Sequence, residues 1–113
     1  MPKPELEFVN TDITFGWNRI EGAVDGMWEK VLSRDPETKK LTRLVKFEPG
    51  IVTNTVMSHE YWEEVYILEG FLTDRGKEIT VGRGFYACRP PGMKHGPYDA
   101  PLGCTMFEVQ YYQ

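Results

Sequence analysis

The chain has 113 residues, a net charge of -4 and a pI near 5.2, a length that holds one hydrophobic core and leaves no room for a second. Hydrophobic residues make up 41% and charged residues 27%, which argues against disorder and against a fibrous repeat. The thirteen Lys and Arg are scattered along the chain, so the basic stripe of a nucleic-acid binder is missing.

The first residues, Met1-Pro2-Lys3-Pro4-Glu5, have no apolar segment behind them, and no later apolar run reaches spanning length; neither a secretory leader nor a membrane span is expected, and the expected compartment is the cytoplasm. Residues 1–26 read as an N-terminal arm or edge strand. Within it Ile13, Phe15 and Trp17 alternate as an edge strand would, covering the barrel or a partner subunit. Six strands follow on β-branched and aromatic runs: Met27 to Leu32, Leu41 to Glu48, Glu64 to Leu72, Glu78 to Val81, Phe85 to Arg89 and Thr105 to Tyr112. Turn chemistry separates them at Asp35-Pro36, Pro49-Gly50, Arg75-Gly76, Gly82-Arg83-Gly84 and Pro90-Pro91-Gly92. No long window repeats apolar residues at helical spacing free of Gly or Pro, so at most a short helix near the N-terminus is expected. The result is one all-β domain over residues 1–113, a sandwich or barrel whose closure hides strand edges. Cys88 and Cys104 show no C-x-x-C spacing and read as reduced, buried thiols rather than a disulfide or zinc knuckle.

Candidate chemistry gathers around the only two histidines, His59 and His95. Met57 and His59 share one face by strand parity, and Glu63 shares parity with Val65 and Ile67, which are typical interior residues. A carboxylate on that face needs a partner, because an unpaired buried charge is strongly unfavourable. A metal cation is one such partner and an arginine is another.

The run from Gly84 to Asp99 places Gly84, Pro90, Gly92 and His95 at the offsets of the second cupin motif, G-x5-P-x-G-x2-H-x3-N, with Asp99 where the motif has Asn. Upstream, His59, Glu63 and Gly70 fall into register with the first cupin motif, G-x5-H-x-H-x3,4-E-x6-G, while Met57 stands where its first histidine belongs and the Pro49-Gly50 turn comes one residue early. Over residues 41–112 the chain resembles small single-domain cupins, in particular zinc-binding anti-sigma-factor cupin domains and cupins related to acetylacetone-cleaving dioxygenases. The resemblance implies a double-stranded antiparallel β-barrel of jelly-roll type with His59, Glu63 and His95 as three of the four usual metal ligands. Two imidazoles and a carboxylate suit a divalent transition ion: iron, zinc or manganese, with nickel a further candidate.

Tyr61, Trp62, Phe85 and Tyr86, with Met93, Tyr98 and Met106 further along, are candidates to line a pocket for a small organic ligand. Met57 is expected to pack as pocket wall, since a thioether suits copper(I) better than the harder ions. Arg43 shares parity with Val45 and Phe47 and is a candidate interior cation for a substrate carboxylate; base rates instead place such an arginine at the surface with its stem packed on the barrel. The function implied is an enzyme acting on a small carbonyl or carboxylate compound, by dioxygenase-like cleavage or a lyase or decarboxylase step. The alternatives are a non-catalytic sensor or binding cupin and a degenerate cupin without metal. A homodimer is expected, with no nucleic-acid or membrane partner.

Overall fold

The computed structural model describes residues 3–113. One helical turn, α1 (Thr11–Thr14), is followed by β1 (Asn18–Arg19), β2 (Met27–Arg34), β3 (Leu41–Phe47), β4 (Ile51–Val52), β5 (Trp62–Asp74), β6 (Ile79–Gly82), β7 (Tyr86–Arg89), β8 (Tyr98–Ala100) and β9 (Cys104–Tyr111). Every pairing is antiparallel. One layer runs β1-β2-β3-β9 onto the first half of β5, with β7 on the far side of β5. The second half of β5 joins the other layer, pairing with β6 and β8, and β4 extends that layer beyond β8. The chain is thus an all-β curled sheet of the cupin type.

The long β5 can serve both layers because it bends. Its register shifts between Ile67 and Glu69, and Gly70 follows at φ +81°, where a Cβ would run into the carbonyl of Gly103. Only glycine tolerates that approach. Val65 and Ile67 point inward from β5 and meet Val45 and Phe47 of β3, Met106 of β9 and Tyr98 and Ala100 of β8 in one buried cluster. Each such aliphatic side chain contributes roughly 1.5–3 kcal/mol by leaving water.

The six expected strands are all present, and β1, β4 and β8 add short pairings that carry no run of their own. The N-terminal arm differs from the expected alternating strand. Asn10 caps α1 by accepting from the Asp12 N–H at 2.9 Å, and Ile13 is left 83% exposed. Among the described residues of the arm only Asn18 and Arg19 pair in a ladder, along the edge of β2. Trp17 lies over the ammonium groups of Lys30 and Lys46, 4.7 and 4.4 Å from the ring centre, and Lys30 donates to the Thr11 carbonyl at 3.1 Å. Cation–π contact and capping therefore fix the arm, where the alternation suggested a ladder. Of the two thiols only Cys104 is buried; Cys88 is exposed, because it faces outward from β7 beside Glu64. Among the described residues no helix is long and apolar enough to cross a membrane.

Candidate metal centre

Cross-strand register builds the site. Glu63 on β5 lies opposite Arg89 of β7 on one side and Gln110 of β9 on the other. Its Oε1 accepts from Arg89 at 2.8 Å and its Oε2 from Gln110 at 3.4 Å, and the residue is only 4% exposed. The partner required for this buried carboxylate is therefore, in part, an arginine. His95 is held by a two-residue bridge: the Met57 N–H donates to its carbonyl at 2.8 Å and the His95 N–H to the Met57 carbonyl at 2.9 Å. Gly92, at φ +84°, adds a donation to the His59 carbonyl at 2.8 Å. The Pro-Pro-Gly turn thus pins both histidine segments together. His59 stacks on Tyr61 with the ring centres 4.7 Å apart and the ring planes nearly parallel.

One donor atom from each of His59, Glu63 and His95 lies within 4.8 Å of the others. His59 Nε2 is 4.0 Å from Glu63 Oε2, and His95 Nε2 is 4.0 Å from Glu63 Oε1. His95 Nε2 is buried and has no hydrogen-bond partner among the described residues, an arrangement that ordinarily costs on the order of 1–3 kcal/mol. Its other nitrogen, Nδ1, sits 2.7 Å from the Tyr98 hydroxyl, which also accepts from Arg89 at 3.1 Å. Burial, reinforced by Arg89, pushes the His95 pKa down to about 4, so the ring is neutral near pH 7. Burial likewise raises the pKa of Tyr98, so it stays a phenol. If the Nδ1–H donates to Tyr98, the lone pair on Nε2 faces Glu63 and His59; this is the tautomer a metal ligand requires. The donor set fits zinc, iron or manganese. Bonds of about 2.0–2.2 Å bring ligand atoms roughly 3–3.5 Å apart, so the three groups must close by roughly 0.5–2 Å.

The site opens on a cavity of about 340 Å³. Five of the nine pocket candidates, Met57, Tyr61, Tyr98, Met106 and Arg43, line it. Arg43 is inside the barrel, contrary to the base-rate expectation of a surface position, because two carboxylates meet it: it donates to Glu108 at 2.9 and 3.1 Å and to Glu29 at 2.7 Å. Burial opposes its charge, but Glu108 and Glu29 hold its pKa above the ordinary arginine value. With its fork closed on two acids, it has little left to offer a substrate carboxylate. Glu108 is pushed up to about 7 by burial and by Glu63, with Arg43 opposing. Phe85, Tyr86 and Met93 line a different, apolar cavity. Trp62 lines neither; it stacks on Tyr111 outside the barrel. Asp99, the departure from the second motif, pairs with Arg75, which also donates to the Thr53 carbonyl at 2.7 Å, so it fastens β8 to the loop after β4.

Sequence reasoning missed Arg89, Glu108 and Gln110. Parity would have found all three: Glu108 follows Met106, and Gln110 follows Glu108, on one face of β9, and Arg89 follows Ala87 on β7.

A sequence model of the ChrR cupin-like domain matches residues 7–112. The chain belongs to that family. No curated protein sequence matches it. Among solved structures this ChrR-like cupin is similar to an RmlC-like cupin from Shewanella frigidimarina, with a TM-score of 0.76 at 19% identity, covering 100% of this chain and 96% of that one. It is similar to an acetylacetone dioxygenase from Acinetobacter johnsonii, with a TM-score of 0.75 at 18% identity, covering 96% and 74%. The anti-sigma ChrR in complex with SigE from Rhodobacter sphaeroides gives a TM-score of 0.65 at 18% identity, covering 86% of this chain and 50% of that one. At these identities the likeness to solved structures establishes the fold alone.

Proposed function

We propose that this ChrR-like cupin holds a divalent transition ion on His59, Glu63 and His95 and acts as an enzyme on a small carbonyl or carboxylate compound, by dioxygenase-like cleavage or by a lyase or decarboxylase step. The observation that carries the reading is the buried, unpartnered His95 Nε2, aimed at Glu63 with Tyr98 behind the ring. A buried nitrogen left without a partner is rare unless something binds there. When bound, such an ion supplies Lewis-acid polarisation of a carbonyl or enolate oxygen. The chain's own residues supply the rest: Tyr98 sets the tautomer and orientation of His95, and Arg89 holds one oxygen of Glu63. Met57 and Tyr61 wall the cavity, and the Arg43–Glu108 pair closes its floor without an unpaired charge. The acetylacetone dioxygenase likeness supports the dioxygenase class as the first to test.

A second reading, a cupin without metal, is favoured by one observation: Arg89 already neutralises Glu63. Metal analysis of protein purified without chelator separates the two. About one ion per chain, with a melting temperature that falls on chelation, supports the first reading. No metal, and no stabilisation by added zinc, iron(II) or manganese, decides for the second. Oxygen uptake with β-dicarbonyl compounds then tests the reaction class.

A further inference from the structure

A second cavity lies behind the His95 ring. It has a volume of about 160 Å³ and is lined from β5, β6 and β7 by Val65, Ile67, Val81 and Ala87, with Met93 beside them. Five residues, Leu72, Arg89, His95, Tyr98 and Met106, border both this chamber and the polar cavity. The partition therefore includes the Arg89–Tyr98–His95 hydrogen-bond chain.

The chamber has its own opening. β6 and β7 follow one another along the same edge of β5, and the link between them is held to β5 where Gly84 donates to the Ile67 carbonyl and Ile67 to the Phe85 carbonyl, both at 3.0 Å. Ile79, Phe85 and Tyr86 border the chamber and are 47%, 53% and 58% exposed, so its rim reaches the surface there. Large apolar side chains grouped round an apolar hollow are a feature of ligand sites. The polar groups at its edge are engaged by the protein, except His95 Nε2, which is aimed at Glu63. Asp74 accepts from the Gly96 and Lys77 N–H groups at 3.1 Å each, Lys77 Nζ donates to the Lys94 carbonyl at 2.9 Å, and Arg89 is shared between Glu63 and Tyr98. Little is left to bind a charged ligand, and the volume is about that of a cavity that takes one benzene-sized molecule.

We propose that this chamber is a binding site for a compact uncharged apolar molecule, an aromatic ring or branched hydrocarbon of about six carbons, admitted past the exposed rim of Ile79, Phe85 and Tyr86. The site does not depend on a metal at His59, Glu63 and His95. The test is a titration of benzene into chelator-treated, methyl-labelled protein followed by NMR. Saturable shifts confined to the methyls of Val65, Ile67, Val81 and Ala87 are expected. Ala87→Leu, which fills the chamber, weakens binding at least ten-fold while zinc affinity stays within two-fold of the parent. Should Ala87→Leu fail to fold, Ile79→Glu places a carboxylate on the exposed rim and produces the same loss. No saturable shift up to the solubility limit of benzene, shifts centred on Val45 and Met57 in the polar cavity, or unchanged binding in the variant that folds would each overturn the proposal. Because the titration is run without metal, its outcome is separate from that of the metal analysis.

Discussion

Tyr98→Phe is the sharpest test of how the site is held. The substitution removes one oxygen and keeps the ring, which is 4% exposed and part of the core, so packing is nearly conserved. Two contacts go with that oxygen: the 2.7 Å bond to His95 Nδ1 and the 3.1 Å donation from Arg89. The imidazole then loses what fixes its tautomer and orientation, and loss of such an outer partner typically lowers metal affinity 10–100-fold, or about 1.4–2.7 kcal/mol. The metal-free fold should lose a comparable amount, roughly 1–3 kcal/mol, because buried donors at His95 and Arg89 are left unpaired. Competition with a chromophoric chelator at fixed pH measures the first quantity and urea denaturation of metal-free protein the second. Parent-like zinc affinity in a variant that is destabilised as expected would show that His95 does not ligate through the nitrogen Tyr98 controls.

His95→Ala should reduce bound metal to near background by metal analysis while the far-UV spectrum stays that of the parent; equal metal content in the two proteins would refute the ligand assignment. A homodimer is expected from the exposed apolar side chains on the outer faces of β5 and β9, Tyr66, Leu68 and Phe107; a light-scattering mass near that of one chain at micromolar concentration would contradict it. At pH 8 a thiol reagent should label Cys88 promptly and leave Cys104 untouched until denaturant is added, since Cys104 is buried and its pKa is pushed up to about 11 by burial and Glu108; labelling of both thiols in the native state would contradict it.

The parts of the fold legible in the sequence are those that local chemistry dictates. Alternation places Val65 and Ile67 inside β5, and Gly-Pro turns set the spacing of the long strands. β4 and β8 were invisible because Ile51-Val52 and Tyr98-Ala100 become strands only through each other and through the end of β5, which no local window contains. Within the arm, the edge strand holds at Asn18 and Arg19 but not at Ile13 to Trp17, because an alternating pattern cannot show that Trp17 has two ammonium groups to cover. At the site, the resemblance to the two cupin motifs is what joined His59, Glu63 and His95, since no local window spans all three. What it could not supply was the charge of the neighbours. Arg43, Glu29 and Glu108 come from three strands, as do Glu63, Arg89 and Gln110, and each buried charge is tolerated only because the others face it. Parity marks such residues as inward-facing, but their pairing is a property of register between distant strands.

The same register makes residue 57 the most informative position in the site. Met57 and His95 exchange both backbone hydrogen bonds, which makes them a directly opposed antiparallel pair with Cα atoms about 5.5 Å apart. Side chains so placed emerge on one face, and both line the polar cavity. Met57→His should therefore bring a third imidazole to the face that His59 and His95 already share. A neutral imidazole outcompetes a thioether for zinc or iron(II), and the expected gain in zinc affinity is at least ten-fold, about 1.4 kcal/mol or more. The gain should vanish in Met57→His combined with His95→Ala, because the added ring needs the ion that His95 helps to hold. Activity need not rise with affinity, since a protein ligand in that direction occupies coordination space that a substrate would otherwise use. Chelator competition at fixed pH measures the change. An affinity equal to or below that of the parent, in a variant whose melting temperature is unaltered, would mean that residue 57 does not face the ion and that the first motif is in the wrong register.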